Sequence, residues 1–252
     1  MELIFVAGAA LLAGFVDAIV GGGGLVLVPA LFAAFPGAHP ATLLGVNKSA
    51  AVWGTAVATA QYARRVALPW PTLLPAAGLA LIGSLAGAGL VMVVSPEFLR
   101  KLLPLVLLAV LVYTLLKKNL GREHAPRLAG WREPAAAAAI GLMMGFYDGF
   151  FGPGTGSLLV FLFVRVLGFD FLHASACAKL LNTCSNFSAL ALFALKGHIW
   201  WHYALVLAVA NVVGSLLGAR LALRHGAGFV RAVFVLVVGA LILRTGYDGF
   251  WR

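Results

Sequence analysis

Hydrophobic residues run through this chain in long segments, which are separated by a few polar or glycine-rich positions. The apolar segments lie at about residues 3–20, 24–35, 42–63, 70–94, 98–116, 134–151, 155–168, 173–195, 201–221 and 229–245. About 20 mostly apolar residues are enough to cross the hydrocarbon core of a bilayer as a helix, and several of these segments are long enough. The pattern therefore predicts an all-α integral membrane protein.

Composition supports this class. Hydrophobic residues make up 62% of the 252 residues and charged residues 10%, whereas soluble proteins are about half apolar and a quarter charged. The net charge of +10 comes mostly from connectors between apolar segments, which favours an orientation signal over a nucleic-acid surface. The first segment lacks a basic start and a cleavage site, so we expect it to be retained rather than removed as a secretion signal.

The chain repeats itself at a shift of 131 residues. The shift pairs Gly14-Phe15-Val16-Asp17 with Gly145-Phe146-Tyr147-Asp148, and Lys48 with Lys179, without a gap. We therefore predict a first transmembrane repeat at 1–116, a cytoplasmic basic linker at 117–134 and a second transmembrane repeat at 135–252, with about four helical segments in each repeat.

Each repeat opens with an apolar stretch of about 30 residues, which glycine and proline interrupt at 21–24 and at 152–156. The stretch either crosses once with a kink, which makes the repeats parallel, or folds back as a hairpin, which makes them inverted. Outside Lys48 and Lys179, the hairpin places 11 of 16 basic residues on one side, against 10 for the single crossing. This favours inverted repeats with broken or re-entrant first helices, the linker in the cytoplasm and both termini outside.

Two lysines, Lys48 and Lys179, lie within apolar segments at equivalent positions of the repeats. A lysine near the bilayer centre costs about 3 kcal/mol on insertion scales and usually faces a cavity or a partner. Snorkelling toward the interface would explain either lysine alone. Because both lysines recur with polar neighbours, including Asn47 and Asn182, the repeat favours one anion site on the pseudo-symmetry axis.

Asp17 and Asp148 are the matching acids, each about one helical turn before a glycine interruption. They have a structural interpretation, in which they cap a broken helix or neutralise a lysine, because buried charges are normally paired. They also have a functional one, as proton carriers, because desolvation moves a carboxylate pKa toward neutrality. The sequence leaves both open.

The glycine runs complete the predicted site. A helix that begins after a break presents free backbone N–H groups and its positive dipole end, which attract anions. The alternative role of small residues is close helix packing, and Gly83, Gly87, Gly214 and Gly218 fit that role by their four-residue spacing. The runs at 21–24 and 152–156 fit it poorly, because consecutive glycines weaken a helix.

Other chemistries find little support. The GPGTGS segment lacks the Lys-Ser/Thr of a phosphate-binding loop, no nucleophile elbow is present, and the histidines do not have metal-ligand spacing. Cys177 and Cys184 suit small buried positions. We therefore expect no enzyme activity, no cofactor and no metal site.

The motifs GFVDAIVGGGGLVLVPAL, LGVNKSAAVWGTAVATAQYARR, GFYDGFFGPGTGS and AKLLN resemble the TauE/SafE family of sulfite exporters over nearly the whole chain. The resemblance implies an inner-membrane transporter of sulfur-containing anions, such as sulfite or small organosulfonates, with a duplicated, inverted helical fold. Carried over by position, it implies these substrate-binding residues: Asn47, Lys48, Lys179, Asn182, Gly21, Gly22, Gly23, Gly24, Gly152, Gly154, Thr155 and Gly156. The repeats differ, because Ala178 matches Asn47 and Ala51 matches Asn182, so we expect an asymmetric site.

Our hypothesis is a secondary transporter that moves a small anion out of the cell by alternating access. One alternative is a membrane scaffold or assembly subunit whose lysines are structural. Another is a cation transporter that uses Asp17 and Asp148 as ligands. The expected partners are a small anionic substrate and the lipid bilayer, and the small residues on several helices would also allow a homodimer.

Overall fold

The structure is a computed structural model, which describes residues 2–35, 37–91, 108 and 124–250. These residues form helices and connecting turns without a strand, which confirms the all-α prediction. The predicted segment 98–116, apart from Leu108, and the first part of the predicted linker lie outside the described residues. The helices are α1 (Glu2–Val20), α2 (Gly24–Ala34), α3 (Pro40–Ala63), α4 (Trp70–Val91), α5 (Arg132–Phe150), α6 (Thr155–Leu162) with a π-helical turn (Phe163–Leu167), α7 (Phe171–Leu195) and α8 (Trp201–Phe250), which is kinked at Gly226.

Three of these helices are long and apolar enough to cross a membrane: Glu2–Val20, Trp70–Val91 and Trp201–Val237. Two shorter apolar segments, Gly24–Ala34 and Thr155–Leu167, follow the glycine interruptions. Helices α3 and α7 are also long, but they carry the two buried lysines and their polar neighbours. The described part of the chain is therefore a multi-pass helical bundle of the membrane type.

The interrupted stretch of the second half folds back on itself. The backbone N–H of Ala125 donates to the carbonyl oxygen of Gly168 at 3.0 Å, and that of Arg127 donates to Leu167 at 2.9 Å. These bonds join the chain just before α5 to the chain just after the π-helical turn. Helix α5 therefore leaves one end of the bundle, and α6 with its turn returns to the same end.

The first half folds back in the same way. Helices α1 and α8 run parallel, because Asn211 donates to the Ala10 carbonyl and Ser215 to the Gly14 carbonyl. The start of α1 therefore lies near Trp201. Phe35, which follows α2, packs edge-on against Trp200 and Tyr203 at that same end. In both halves the interrupted stretch therefore turns back toward the end of the bundle at which it begins.

Small residues bring α1 against α8 and α5 against α4, so that the first helix of each half packs on a helix of the other half. Gly214 and Gly218 of α8 sit directly on the backbone of Leu11 and Phe15 in α1. The 131-residue shift maps these contacts onto Gly83 and Gly87 of α4, which sit on the backbone of Leu142 and Phe146 in α5. The packing interpretation of these four glycines is confirmed, and the same contacts recur in both halves.

Helix α7 begins at a cap that also contacts the linker. Asp170 Oδ1 accepts from the backbone N–H groups of Leu172 and His173, and Asp170 Oδ2 lies 2.5 Å from His173 Nδ1. The ring of His124, within the predicted linker, lies tilted against that of His173, with the ring centroids 4.2 Å apart. Potential metal-ligand atoms of Asp170, His173 and His124 lie within 4.8 Å of one another. The sequence did not predict this cluster, because His124 is far from the other two residues in the chain. The bonds of Asp170 identify it primarily as an N-cap.

We expect Asp170→Ala to lower the free energy of unfolding by about 1 kcal/mol, because α7 loses its cap. Burial raises the pKa of Asp170, but the hydrogen bonds from His173 and Leu172 outweigh it and hold that pKa below its usual value. The cap therefore contributes its full stability above the usual carboxyl pKa and loses it as the pH falls through the lower folded-state value. Thermal unfolding of wild type and variant across acidic pH measures this, and equal acid sensitivity of the two proteins contradicts it.

We expect Gly83→Ala to destabilise the protein by about 1–3 kcal/mol, because its Cβ would meet the Leu142 carbonyl and push α4 from α5. The matched control is Gly78→Ala on the same helix, where a Cβ meets nothing within 4 Å. This control should be neutral or slightly stabilising, since alanine is the better helix former. Melting points in detergent compare the two variants, and similar losses would argue against the close approach.

Candidate functional site

The first predicted lysine forms an ion pair with an acid from the other half. Lys48 Nζ on α3 lies 2.7 Å from Asp148 Oδ2 near the end of α5, and both side chains are 3% exposed. Lys48 Nζ also donates to Asn186 Oδ1 at 3.0 Å, and Asp148 Oδ2 accepts from Ser185 Oγ at 2.7 Å. Two residues of α7 therefore support a pair that α3 and α5 form.

The equivalent residues, Lys179 and Asp17, do not form the equivalent pair. Lys179 is 0% exposed, and its Nζ has no hydrogen-bond partner among the described residues. Asp17 Oδ1 accepts from the backbone N–H of Gly23 at 3.3 Å, whereas its Oδ2 has no partner in the same part of the chain. The two residues still attract each other electrostatically. Lys48 and Asp148 thus form an ion pair, whereas Lys179 Nζ and Asp17 Oδ2 have no hydrogen-bond partner among the described residues.

The asymmetry follows from two sequence differences between the repeats. The counterpart of Ser185 is Gly54, which offers no hydroxyl to Asp17. The counterpart of Asn186 is Thr55, whose hydroxyl donates to carbonyls of its own helix at 2.9 and 3.1 Å. A Cβ at Gly54 would collide with the side-chain oxygen of Asn211, so a larger residue there would require Asn211 to move. An asymmetric site is expected from the sequence, and these residues account for the asymmetry observed.

The two glycine interruptions touch each other at the centre of the bundle. Gly21, with φ of 82°, lies against the backbone of Gly156, where neither residue has room for a Cβ. The N–H of Ser157 donates to the Gly21 carbonyl, and its hydroxyl donates to the Val20 carbonyl, both at 3.0 Å. Gly152, with φ of 90°, would place a Cβ beside Lys48 Nζ. The glycines thus permit contact between the hairpins, and α6 already uses one of its first N–H groups for that contact.

A small polar cavity of about 20 Å³ lies where these elements meet. Both glycine interruptions reach it, together with Lys48, the acids Asp17 and Asp148, and several asparagines. The predicted residues that line it are Asn47, Lys48, Asn182, Gly21, Gly23, Gly24, Gly152, Gly156, Asp17 and Asp148. Of the other predicted residues, Gly22, Gly154, Thr155 and Lys179 do not line the cavity, although Lys179 lies three residues before Asn182 on α7.

Two polar lining residues, Asn186 and Asn211, are absent from the predicted binding set. Asn186 belongs to the polar positions that follow Lys179 on α7, so the sequence could have predicted it as a cavity residue. Asn211 stands alone in the apolar segment VLAVANVVGSL, opposite Ala80 in the repeat. An isolated amide within a membrane segment usually makes an interhelical hydrogen bond or faces a cavity, and Asn211 does both.

A buried polar cavity between broken helices, inside a bundle of apolar helices, is an arrangement that membrane transporters use for substrate binding. Comparisons with known proteins agree. Residues 6–245 match the family described as Sulfite exporter TauE/SafE. The chain belongs to this family.

Its relatives carry transporter names. The probable membrane transporter protein YfcA of Escherichia coli strain K12 is 39% identical over 239 residues, which cover 95% of this chain and 87% of the relative. The probable membrane transporter protein ORF9 of Sinorhizobium sp is 36% identical over 247 residues, 98% of this chain and 93% of the relative. A probable membrane transporter protein of Haemophilus influenzae is 34% identical over 239 residues, 95% and 92% respectively. No solved structure matches the chain. The protein is a multi-pass membrane transporter.

We expect Asp148→Asn to destabilise the fold by about 3–5 kcal/mol, because it leaves Lys48 charged and unpaired in a buried site. Asp17→Asn should cost less, since Asp17 forms no ion pair within 4.0 Å in the part of the chain that the structure describes. Replacing both partners, as Lys48→Met with Asp148→Leu, should restore much of the stability. Unfolding in detergent measures all three variants, and equal losses for the two asparagine variants would be evidence against the observed asymmetry.

Proposed function

We propose that the protein exports small sulfur oxyanions, sulfite or organosulfonates, across the inner membrane by alternating access. The observation that carries this proposal is the cavity in which Lys48, the glycine interruptions of both halves and a set of amides meet inside an apolar bundle. Desolvated cations and amides stabilise a small oxyanion through charge-assisted hydrogen bonds. The family description adds sulfite as the substrate class.

The cavity corresponds to a closed state. About 20 Å³ gives room for about one water molecule, so a sulfur oxyanion enters only after the surrounding helices separate. Lys48 is held by Asp148, which is in turn held by Ser185. An incoming anion would compete with Asp148 for Lys48, and Asp148 would keep the Ser185 hydroxyl as its partner. Opening of this ion pair is therefore the step that couples binding to movement of the hairpins.

Lys179 is the second cation of the proposed site. Its Nζ is buried and has no hydrogen-bond partner among the described residues, so an oxyanion would satisfy a donor that the closed state leaves unused. The free oxygens of Asp17 and Asn47 are acceptors, which suit a protonated oxygen of the substrate. Proton coupling through Asp17 is compatible with this arrangement but not required by it.

The proposed orientation has the linker in the cytoplasm and both termini outside. Support comes from Arg64 at the end of α3 and Arg220 of α8, which line one groove. In the hairpin arrangement these residues share a side of the membrane, whereas in the single-crossing arrangement they lie on opposite sides. A negative-inside potential then favours anion export by about 2.3 kcal/mol per charge per 100 mV.

The test is the melting point of the purified protein in detergent against a panel of anions, with wild type, Lys179→Ala and Lys196→Ala. A ligand that binds only the folded state raises the melting point by mass action. Sulfite or a sulfonate should stabilise wild type and Lys196→Ala, whose lysine is exposed just after the C-terminal end of the same helix, but not Lys179→Ala. This experiment also separates the three hypotheses for the site.

If metal cations stabilise the protein and Asp17→Asn abolishes the effect, the cation-transporter alternative replaces this proposal. If no solute stabilises wild type, the lysines are structural, and this result favours the scaffold alternative. A positive result is then extended to proteoliposomes, where outward sulfite flux should fall in Lys48→Ala and in Lys179→Ala but not in Lys196→Ala.

A further inference from the structure

A second cavity, larger and open, lies between α3 and α8. It has a volume of about 530 Å³ and is lined by four arginines, Arg64, Arg65, Arg220 and Arg224, together with Gln61. Two of the arginines come from the end of α3 in the first half and two from α8 in the second. The groove shares no lining residue with the central cavity.

The charges of this groove are not balanced within the part of the chain that the structure describes. None of the four arginines has a carboxylate within 4.0 Å among those residues. The buried Nε2 of Gln61 has no acceptor there either. Four guanidinium groups repel one another, and the carbonyl end of α3 offers only partial compensation. The groove is thus lined by cationic donors that have no carboxylate partner among the described residues.

An exposed apolar stripe on α8 leads directly to these arginines. Leu205, Val209, Val213 and Leu217 recur every four residues and are 68%, 67%, 42% and 50% exposed. Residues four apart share one face of a helix, and Arg220 follows Leu217 by three residues. Leu205 and Arg220 are therefore about 22 Å apart along the helix, a distance similar to an extended acyl chain.

We propose that the groove binds the headgroup of an anionic phospholipid, whose acyl chains lie along the stripe of α8. The arginines supply charge-assisted donors to the lipid phosphate, and the stripe supplies an apolar surface that ends at the level of the headgroup. A free phosphate ion would use the arginines but not the stripe, so the continuity of the two features selects the lipid. Because the arginines come from both halves, the lipid bridges α3 and α8.

The experiment compares the melting point of the delipidated full-length protein with added phosphatidylglycerol and with phosphatidylcholine of the same acyl chains. Phosphatidylglycerol should raise the melting point of wild type more than phosphatidylcholine does. Arg220→Gln with Arg224→Gln should weaken the apparent affinity for phosphatidylglycerol about tenfold. Arg64→Gln with Arg65→Gln, on the other helix, is a second pair that should act in the same direction.

The matched control is Arg132→Gln, an exposed arginine outside the groove, which should behave as wild type. Each variant is used only if it elutes as a single species and melts cooperatively in phosphatidylcholine. Equal stabilisation by the two lipids overturns the proposal, as does an unchanged phosphatidylglycerol response in both arginine pairs. Full stabilisation by soluble glycerol phosphate also overturns it, because the apolar stripe would then have no role.

Discussion

The buried pair of Lys48 and Asp148 is the interaction on which the centre of this molecule depends. Both side chains are 3% exposed, and removal of either partner would leave an uncompensated buried charge, so the two groups stabilise each other with the help of further hydrogen bonds. Asn186 and Ser185 supply those bonds from α7. Three helices from both halves are thereby held at one point.

Glycine residues let the helices around this pair approach one another closely. Gly21 and Gly156 bring the two hairpins into backbone contact, while the small residues of α4 and α8 bring the outer helices against α5 and α1. The positive φ angles at Gly21, Gly152 and Gly154 turn the chain where a side chain would be strained. Glycine therefore has two roles here, in close packing along the helices and in reversing the chain at the interruptions.

The halves are nearly symmetric in sequence but differ at their buried charges. Gly54 stands where the second half has Ser185, and Thr55 stands where it has Asn186. Asp17 and Lys179 therefore lack the supporting side chains that Asp148 and Lys48 have, and Lys179 Nζ has no hydrogen-bond partner among the described residues. The repeat thus places two lysines at equivalent positions and in different surroundings.

The sequence by itself determined the helical class, the internal repeat, the positions of the interruptions and most of the cavity lining, because these depend on hydropathy and on residues that recur at a constant shift. It also favoured the hairpin over the kinked crossing through the distribution of basic residues. Only the tertiary structure decided that Lys48 pairs with Asp148, that Lys179 Nζ has no hydrogen-bond partner among the described residues, and that Asn211 reaches the cavity. Those outcomes depend on contacts between residues far apart in the chain, at distances of a few ångströms that no periodicity records.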